Sequence, residues 1–259
     1  MRIDLNADVG EWTSDASGDA AATLGQDPAL MRVITSANIA CGFHAGNPRT
    51  MRATLRLAGK HGVAVGAHPG LHDPQGFGRA EIHISSDELE DIALYQIGAL
   101  AALASAEGLR LNHVKAHGAA YNMAARNPAL ADALARATAA VDRSLVFFGL
   151  ANSELIRAGD RAGLRTASEA FADRAYNADG SLVSRKQTGA VLHDPAIVVT
   201  RALRMVTEGT VEAVDGTIVS VRPDTICVHG DTPDAAILAA RIREALEGNG
   251  IEVRSVGDR

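Results

Sequence analysis

The chain has 259 residues, 47% of them hydrophobic and 22% charged, which is enough to bury a proper core and argues against disorder. Lys and Arg number 25 against 31 Asp and Glu, a net charge of −6 with no basic cluster, and aromatics are 3%. That balance argues against nucleic-acid binding, whether by phosphate neutralisation or by base stacking.

The first strand is expected at residues 2–7, and the turn after it, Asp8-Val9-Gly10-Glu11-Trp12, is acidic and lacks the G-x-G-x-x-G spacing of a dinucleotide site. A charged start, Met1-Arg2-Ile3-Asp4, is unlike a secretion signal. With only Cys41 and Cys227, no disulfide framework is available, so the chain reads as cytoplasmic. A second strand at 33–40 runs into Cys41-Gly42-Phe43-His44, and Asn47-Pro48 then opens a helix as cap and first-turn proline. A third strand at 63–68 ends in His68 and leads into a long loop reaching Ala80. Ser85-Ser86-Asp87-Glu88 is a capping box for the longest helix, whose most apolar stretch, 93–106, is interrupted by Gln96 and too short to span a bilayer.

Further strands are expected at 111–117, 145–150, 164–169, 225–229 and 251–256, with nearly continuous apolar middles, as in parallel strands buried on both faces. Asn127-Pro128, Asp194-Pro195 and Thr232-Pro233 repeat the cap-proline helix start. Asp215-Gly216, between β-rich runs, signals a type I′ hairpin inserted near 211–221. No linker divides the chain, so residues 1–259 read as one domain. Repeated strand-helix units without a Gly-rich dinucleotide turn favour a closed (β/α) barrel over an open sheet.

Polar residues gather at the C-terminal ends of these strands, where a barrel builds its active site. Asp4, Asn6 and Asp8 share one face of the first strand, and Lys115 and His117 share one face of the fourth. Asp4, deeper in its strand, and His113, at the start of its own, read as structural. A lysine among apolar neighbours needs a carboxylate or an anionic substrate beside it, and Asp8 or Glu169 could hold Lys115 in a structural ion pair. His44 lies between glycines, His68 opens the long loop that ends in Arg79, and Glu169, Asp173, Arg174, His229 and Asp231 follow the later strands. No G-x-x-x-x-G-K-[ST] phosphate loop and no G-x-S-x-G elbow is present.

These residues carry a family resemblance. Asp4-Leu5-Asn6-Ala7-Asp8-Val9-Gly10-Glu11, Cys41-Gly42-Phe43-His44-Ala45-Gly46, Gly66-Ala67-His68-Pro69-Gly70, Gly76-Phe77-Gly78-Arg79, Phe171-Ala172-Asp173-Arg174 and Cys227-Val228-His229-Gly230-Asp231 occur in the order seen in the LamB/YcsF family, which the sequence resembles along almost its whole length. Asn47 stands where the family usually has Asp, and Ala80 where a second Arg often follows. The resemblance implies a seven-stranded deformed (β/α) barrel, TIM-barrel-like and of the glycoside hydrolase/deacetylase type. It also implies one component of an ATP-dependent 5-oxoprolinase, converting 5-oxo-L-proline, ATP and water to L-glutamate, ADP and phosphate with partner subunits B and C.

On this reading Asp8 or His117 is the base, Lys115 and His68 stabilise charge, and Arg79 or Arg174 grips the substrate carboxylate. Asn6, Glu11, His44, Asp173, His229 and Asp231 complete the substrate-binding set. ATP is expected to be used by the complex without a recognisable motif in this chain. Two rivals stand beside it: a stand-alone metal-dependent deacetylase or amidohydrolase with Asp8, His44 and His68 as ligands, and a non-catalytic subunit that presents substrate.

Overall fold

The computed structural model describes residues 1–12, 25–228 and 234–257. In chain order the elements are β1 (Arg2–Val9), α1 (Asp27–Leu30), β2 (Ser36–Ala40), α2 (Pro48–His61), β3 (Ala64–His68), α3 (Ser86–Ala106), β4 (Leu111–Val114), α4 (Gly118–Arg126), α5 (Pro128–Val141), β5 (Val146–Leu150), α6 (Glu154–Arg161), β6 (Arg165–Phe171), α7 (Pro195–Thr207), β7 (Thr210–Glu212), β8 (Ile218–Ser220), β9 (Thr225–Val228), α8 (Ala235–Gly248) and β10 (Glu252–Val253). β1 to β6 and then β9 pair in parallel, and β9 pairs back onto β1, closing a seven-stranded barrel. β10 adds to the N-terminal end of β1 through Arg2↔Glu252 and Ile3↔Val253.

Side-chain alternation explains what fills this barrel. In β1, Ile3, Leu5, Ala7 and Val9 belong to the main apolar core, while Asp4, Asn6 and Asp8 make polar contacts across the lumen. Ser36, Asn38, His113, Lys115, Glu169 and Thr225 are buried with them. The apolar core therefore lies between strands and helices, and the lumen is a polar network instead of layers of branched aliphatics.

The helix starts follow their caps. Asn47 Oδ1 accepts from the N–H groups of Arg49 and Thr50 at 2.9 and 3.0 Å, so Asn in place of Asp keeps this function. Ser85, Asn127 and Asp194 cap α3, α5 and α7 in the same way. Thr232-Pro233 lies outside the described residues, and α8 starts after Asp234. With its polar first turn included, α3 reaches 21 residues, long and apolar enough by composition to cross a membrane. It lies against α5 and β3 and buries Leu89, Ala93, Gln96, Ile97, Leu100 and Ala104. The inserted hairpin is present as β7 and β8, but its turn differs from the expected type I′. Gly216 has a positive φ of 86° and its N–H bonds to the Ala213 carbonyl, whereas Asp215 stays out of the left-handed region. That is a type I turn followed by a left-handed glycine.

Candidate active site

At the C-terminal end of the barrel a cleft of about 680 Å³ opens, with Asp8, His68, Lys115 and His117 at its floor and Arg79, Arg126, Arg157, Arg185 and Lys186 among the residues lining it. β4 ends at Val114, yet the chain stays in register with β3. The Lys115 N–H bonds to the Ala67 carbonyl at 3.0 Å and the His117 N–H to the Pro69 carbonyl at 2.8 Å. Lys115 and His117 keep their strand-like direction into the lumen as a result.

Lys115 Nζ sits 2.9 Å from Asp8 Oδ1, 3.0 Å from Glu169 Oε1 and 3.0 Å from Cys227 Sγ. Burial alone would lower the lysine pKa, but Asp8, Cys227 and Glu169 outweigh it and hold the ammonium well above its ordinary range. Asn38 Nδ2 donates to Asp8 Oδ1 at 2.8 Å and to Asn6 Oδ1 at 2.7 Å, and Tyr121 donates its hydroxyl to Glu169 Oε2 at 2.7 Å. Burial and then Glu169 raise the Tyr121 phenol well above its usual range, so it serves as a donor. His113 donates Nε2–H to Asn38 Oδ1 at 2.8 Å, and burial pushes it down to about 3, so it stays neutral.

Beside this network Glu11, His44, His68 and His117 bring one carboxylate oxygen and three ring nitrogens within 4.8 Å of one another, the group best placed among the described residues to hold a metal ion. His68 Nε2 also lies 3.4 Å from Asp8 Oδ2. Gly70 and Gly78 let the long loop close over the rings. A Cβ on Gly70 would stand 2.5 Å from His44 Nδ1, and one on Gly78 2.7 Å from His44 Cβ. Gly70 and Gly78 thus serve close packing on the histidines, whereas a Cβ on Gly42 would meet nothing within 4 Å and one on Gly46 would meet the Gly10 carbonyl.

The LamB/YcsF family model matches residues 3–259. The chain belongs to the LamB/YcsF family. Relatives agree over nearly full length. The A subunit of 5-oxoprolinase from Tolumonas auensis is 52% identical over 255 residues, covering 98% of this chain and 99% of that one. The Bacillus subtilis protein of the same name is 48% identical over 258 residues, with 100% and 98% covered. The crystal structure of the lactam utilization protein from Thermus thermophilus superposes with a TM-score of 0.89 at 47% identity, covering 98% and 99% of the two chains.

In this LamB/YcsF barrel, not all residues expected at the site reach the cleft. Asn6 is fully buried below it, its amide on Glu169 and Thr225 and its oxygen on Asn38, so no group is left to meet substrate. Glu11 and His44 face the other histidines instead of the cleft. Asp173 is buried behind the loop after β6 and does not line the cleft. Arg174 borders it, but donates Nε–H to the Ala190 carbonyl and Nη2–H to the Val183 carbonyl, which pins that loop. Arg79 reaches the cleft with its guanidinium 4.8 Å from the Phe77 ring centroid. His229 and Asp231 lie outside the described residues. Glu169, expected as the polar end of its strand, is there as a partner of Lys115, whereas Tyr121 was not expected and gave no signal beyond standing one helical turn after His117. Arg185 and Lys186 also line the cleft.

Proposed function

We propose that this chain is one component of an ATP-dependent 5-oxoprolinase and opens the lactam of 5-oxo-L-proline to L-glutamate together with subunits B and C, in the cytoplasm. The names of its relatives support the reaction class, and the observation that carries the mechanism is the Asp8 carboxylate. Its Oδ1 is held by Lys115 and Asn38, while Oδ2 faces the His68 side of the cleft floor. Such a carboxylate is fixed in direction by an ammonium and an amide on one oxygen, which leaves the other to take a proton from water.

In this mechanism ATP phosphorylates the lactam carbonyl oxygen, making the unstrained amide a better electrophile. Water attacks the carbonyl carbon, its proton passes to Asp8 Oδ2, and the ring C–N bond breaks. That proton goes to the leaving nitrogen while the attacking oxygen gives up its second proton to solvent, leaving a γ-glutamyl phosphate. A second water cleaves this acyl phosphate to L-glutamate and inorganic phosphate. Arg79 suits the substrate carboxylate by fork geometry. Lys115 already points at Asp8, Glu169 and Cys227, so its role is to position Asp8, not to donate to substrate. The sequence has no phosphate loop, which fits ATP held by a partner or at a site of this chain without a known motif. Glutamate release measured with ATP should appear only when B and C are added to this chain, and Asp8→Asn should lower it at least about 100-fold. Robust ATP-coupled release by the chain alone, or full turnover by Asp8→Asn, would overturn the reading.

A further inference from the structure

A neutral imidazole carries one N–H and one lone pair. His68 Nδ1 lies 2.7 Å from the Lys115 carbonyl oxygen, and His117 Nε2 lies 2.8 Å from the Phe77 carbonyl oxygen. Carbonyl oxygens only accept, so each ring directs its single proton there. The remaining nitrogens, His68 Nε2 and His117 Nδ1, are then two lone pairs facing each other at 2.9 Å. Glu11 Oε1, a third electron-pair donor, stands 3.3 Å from His117 Nδ1 and 3.9 Å from His68 Nε2. Phe77 makes this arrangement firm: its φ of 55° is unusual for a side-chain-bearing residue and aims its carbonyl at His117.

Three lone pairs so close in a buried site repel unless a cation lies among them. A proton is one solution, turning a ring into an imidazolium. A single proton on either ring nitrogen fills only one of the gaps among these three atoms. A metal ion is the other. Ligands about 2.1 Å from a tetrahedral Zn²⁺ stand about 3.4 Å apart, and separations of 2.9, 3.3 and 3.9 Å bracket that spacing. The outward N–H bonds to carbonyls are those that metal-bound histidines commonly make.

We propose that Glu11, His68 and His117 bind one divalent transition-metal ion of the Zn²⁺ class in a two-histidine, one-carboxylate arrangement, with His44 orienting Glu11. His44 is given the orienting role because its ring lies parallel to His117, 2° apart with centroids at 3.7 Å. Two such rings cannot both aim in-plane lone pairs at one ion. Its Nε2–H instead donates to Glu11 Oε1 at 3.2 Å. Imidazole nitrogens select Zn²⁺, Co²⁺ or Fe²⁺ over Mg²⁺ or Ca²⁺. Three protein ligands leave a position open toward Asp8 and the cleft. This inference does not depend on which amide the chain opens.

The test uses the full chain, stripped with a chelator and titrated with Zn²⁺ by calorimetry and with Co²⁺ by visible absorption. One ion per chain, a raised melting temperature and the d–d bands of low-symmetry Co²⁺ are expected. Glu11→Gln, a mild change in the loop after β1, and His117→Gln should weaken binding about 100-fold or more, and His44→Gln about 10-fold. His72→Gln, an exposed control, should bind as the parent does. No uptake by the stripped, folded parent would overturn the proposal, as would equal uptake by folded Glu11→Gln and His117→Gln. None of these readouts involves glutamate release, so the metal site and the lactam reading fail separately.

Discussion

Lys115 is 2% exposed and lies against two carboxylates. Removing it leaves Asp8 and Glu169 as uncompensated buried charges, and breaking such a pair from one side typically costs about 3–5 kcal/mol. Lys115→Ala should therefore melt well below the parent, and adding Glu169→Gln should return part of the loss. Equal melting temperatures for Lys115→Ala and the parent would show that water screens the two carboxylates. The inward direction of Lys115 was legible in the alternation of its strand, and so was its need for a carboxylate. Asp8 or Glu169 was the expected partner; contact with both at once was not legible, because they come from different strands, Asp8 107 residues away, and only closure of the barrel brings them together. Ring tautomers of His68 and His117 were illegible for a related reason: backbone carbonyls of Lys115 and Phe77 decide them.

The loop between β3 and α3 shows the same logic for an element. It carries Phe77, Gly78 and Arg79 over the histidines, and a single side chain of α3 anchors its start. Gln96 accepts from the Gly70 N–H at 3.0 Å and donates to the Gly70 carbonyl at 2.9 Å. In the sequence Gln96 read as an interruption of an apolar helix; the structure gives it this fully buried task. Gln96→Leu would leave both Gly70 groups without these partners, a loss of about 2–6 kcal/mol at roughly 1–3 per unsatisfied group. Because the loop delivers Arg79, the KM for the lactam should rise more than kcat falls in the reconstituted complex. A variant with parent stability and an unchanged KM would rule out the anchor. The starts of α2, α3, α5 and α7, by contrast, were legible almost to the residue. A cap, followed by proline in all but α3, is a local signal that needs no tertiary partner, while α4 and α6 were not read from the sequence. The hairpin was legible as an insertion, though its turn type was not.

For the whole molecule, strand order and closure followed from the repeated strand-helix pattern, whereas the polar filling of the lumen followed from side-chain parity only in part. Asp4 decides how tightly the barrel closes at its N-terminal end. Its Oδ1 accepts from the hydroxyls of Thr35 and Ser36 at 2.7 Å each, and its Oδ2 accepts from Thr225, so one carboxyl ties β1 to β2, the residue before it, and β9. Burial raises its pKa from 3.8 to about 6, against the pull of those three hydroxyls. A raised folded-state pKa means that the folded chain binds this proton more tightly than the unfolded chain. Its stabilising contribution is complete below the unfolded value, declines as pH rises from 3.8, and is lost by pH 6 and above. Asp4→Asn removes the titration while keeping an oxygen that accepts from the hydroxyls. Measured by urea unfolding, the stability of Asp4→Asn relative to the parent should improve by about 2 kcal/mol between roughly pH 4.5 and pH 7.5. A difference that stays constant across that range would mean that Asp4 is ionised throughout, with its hydroxyl donors outweighing the cost of burial.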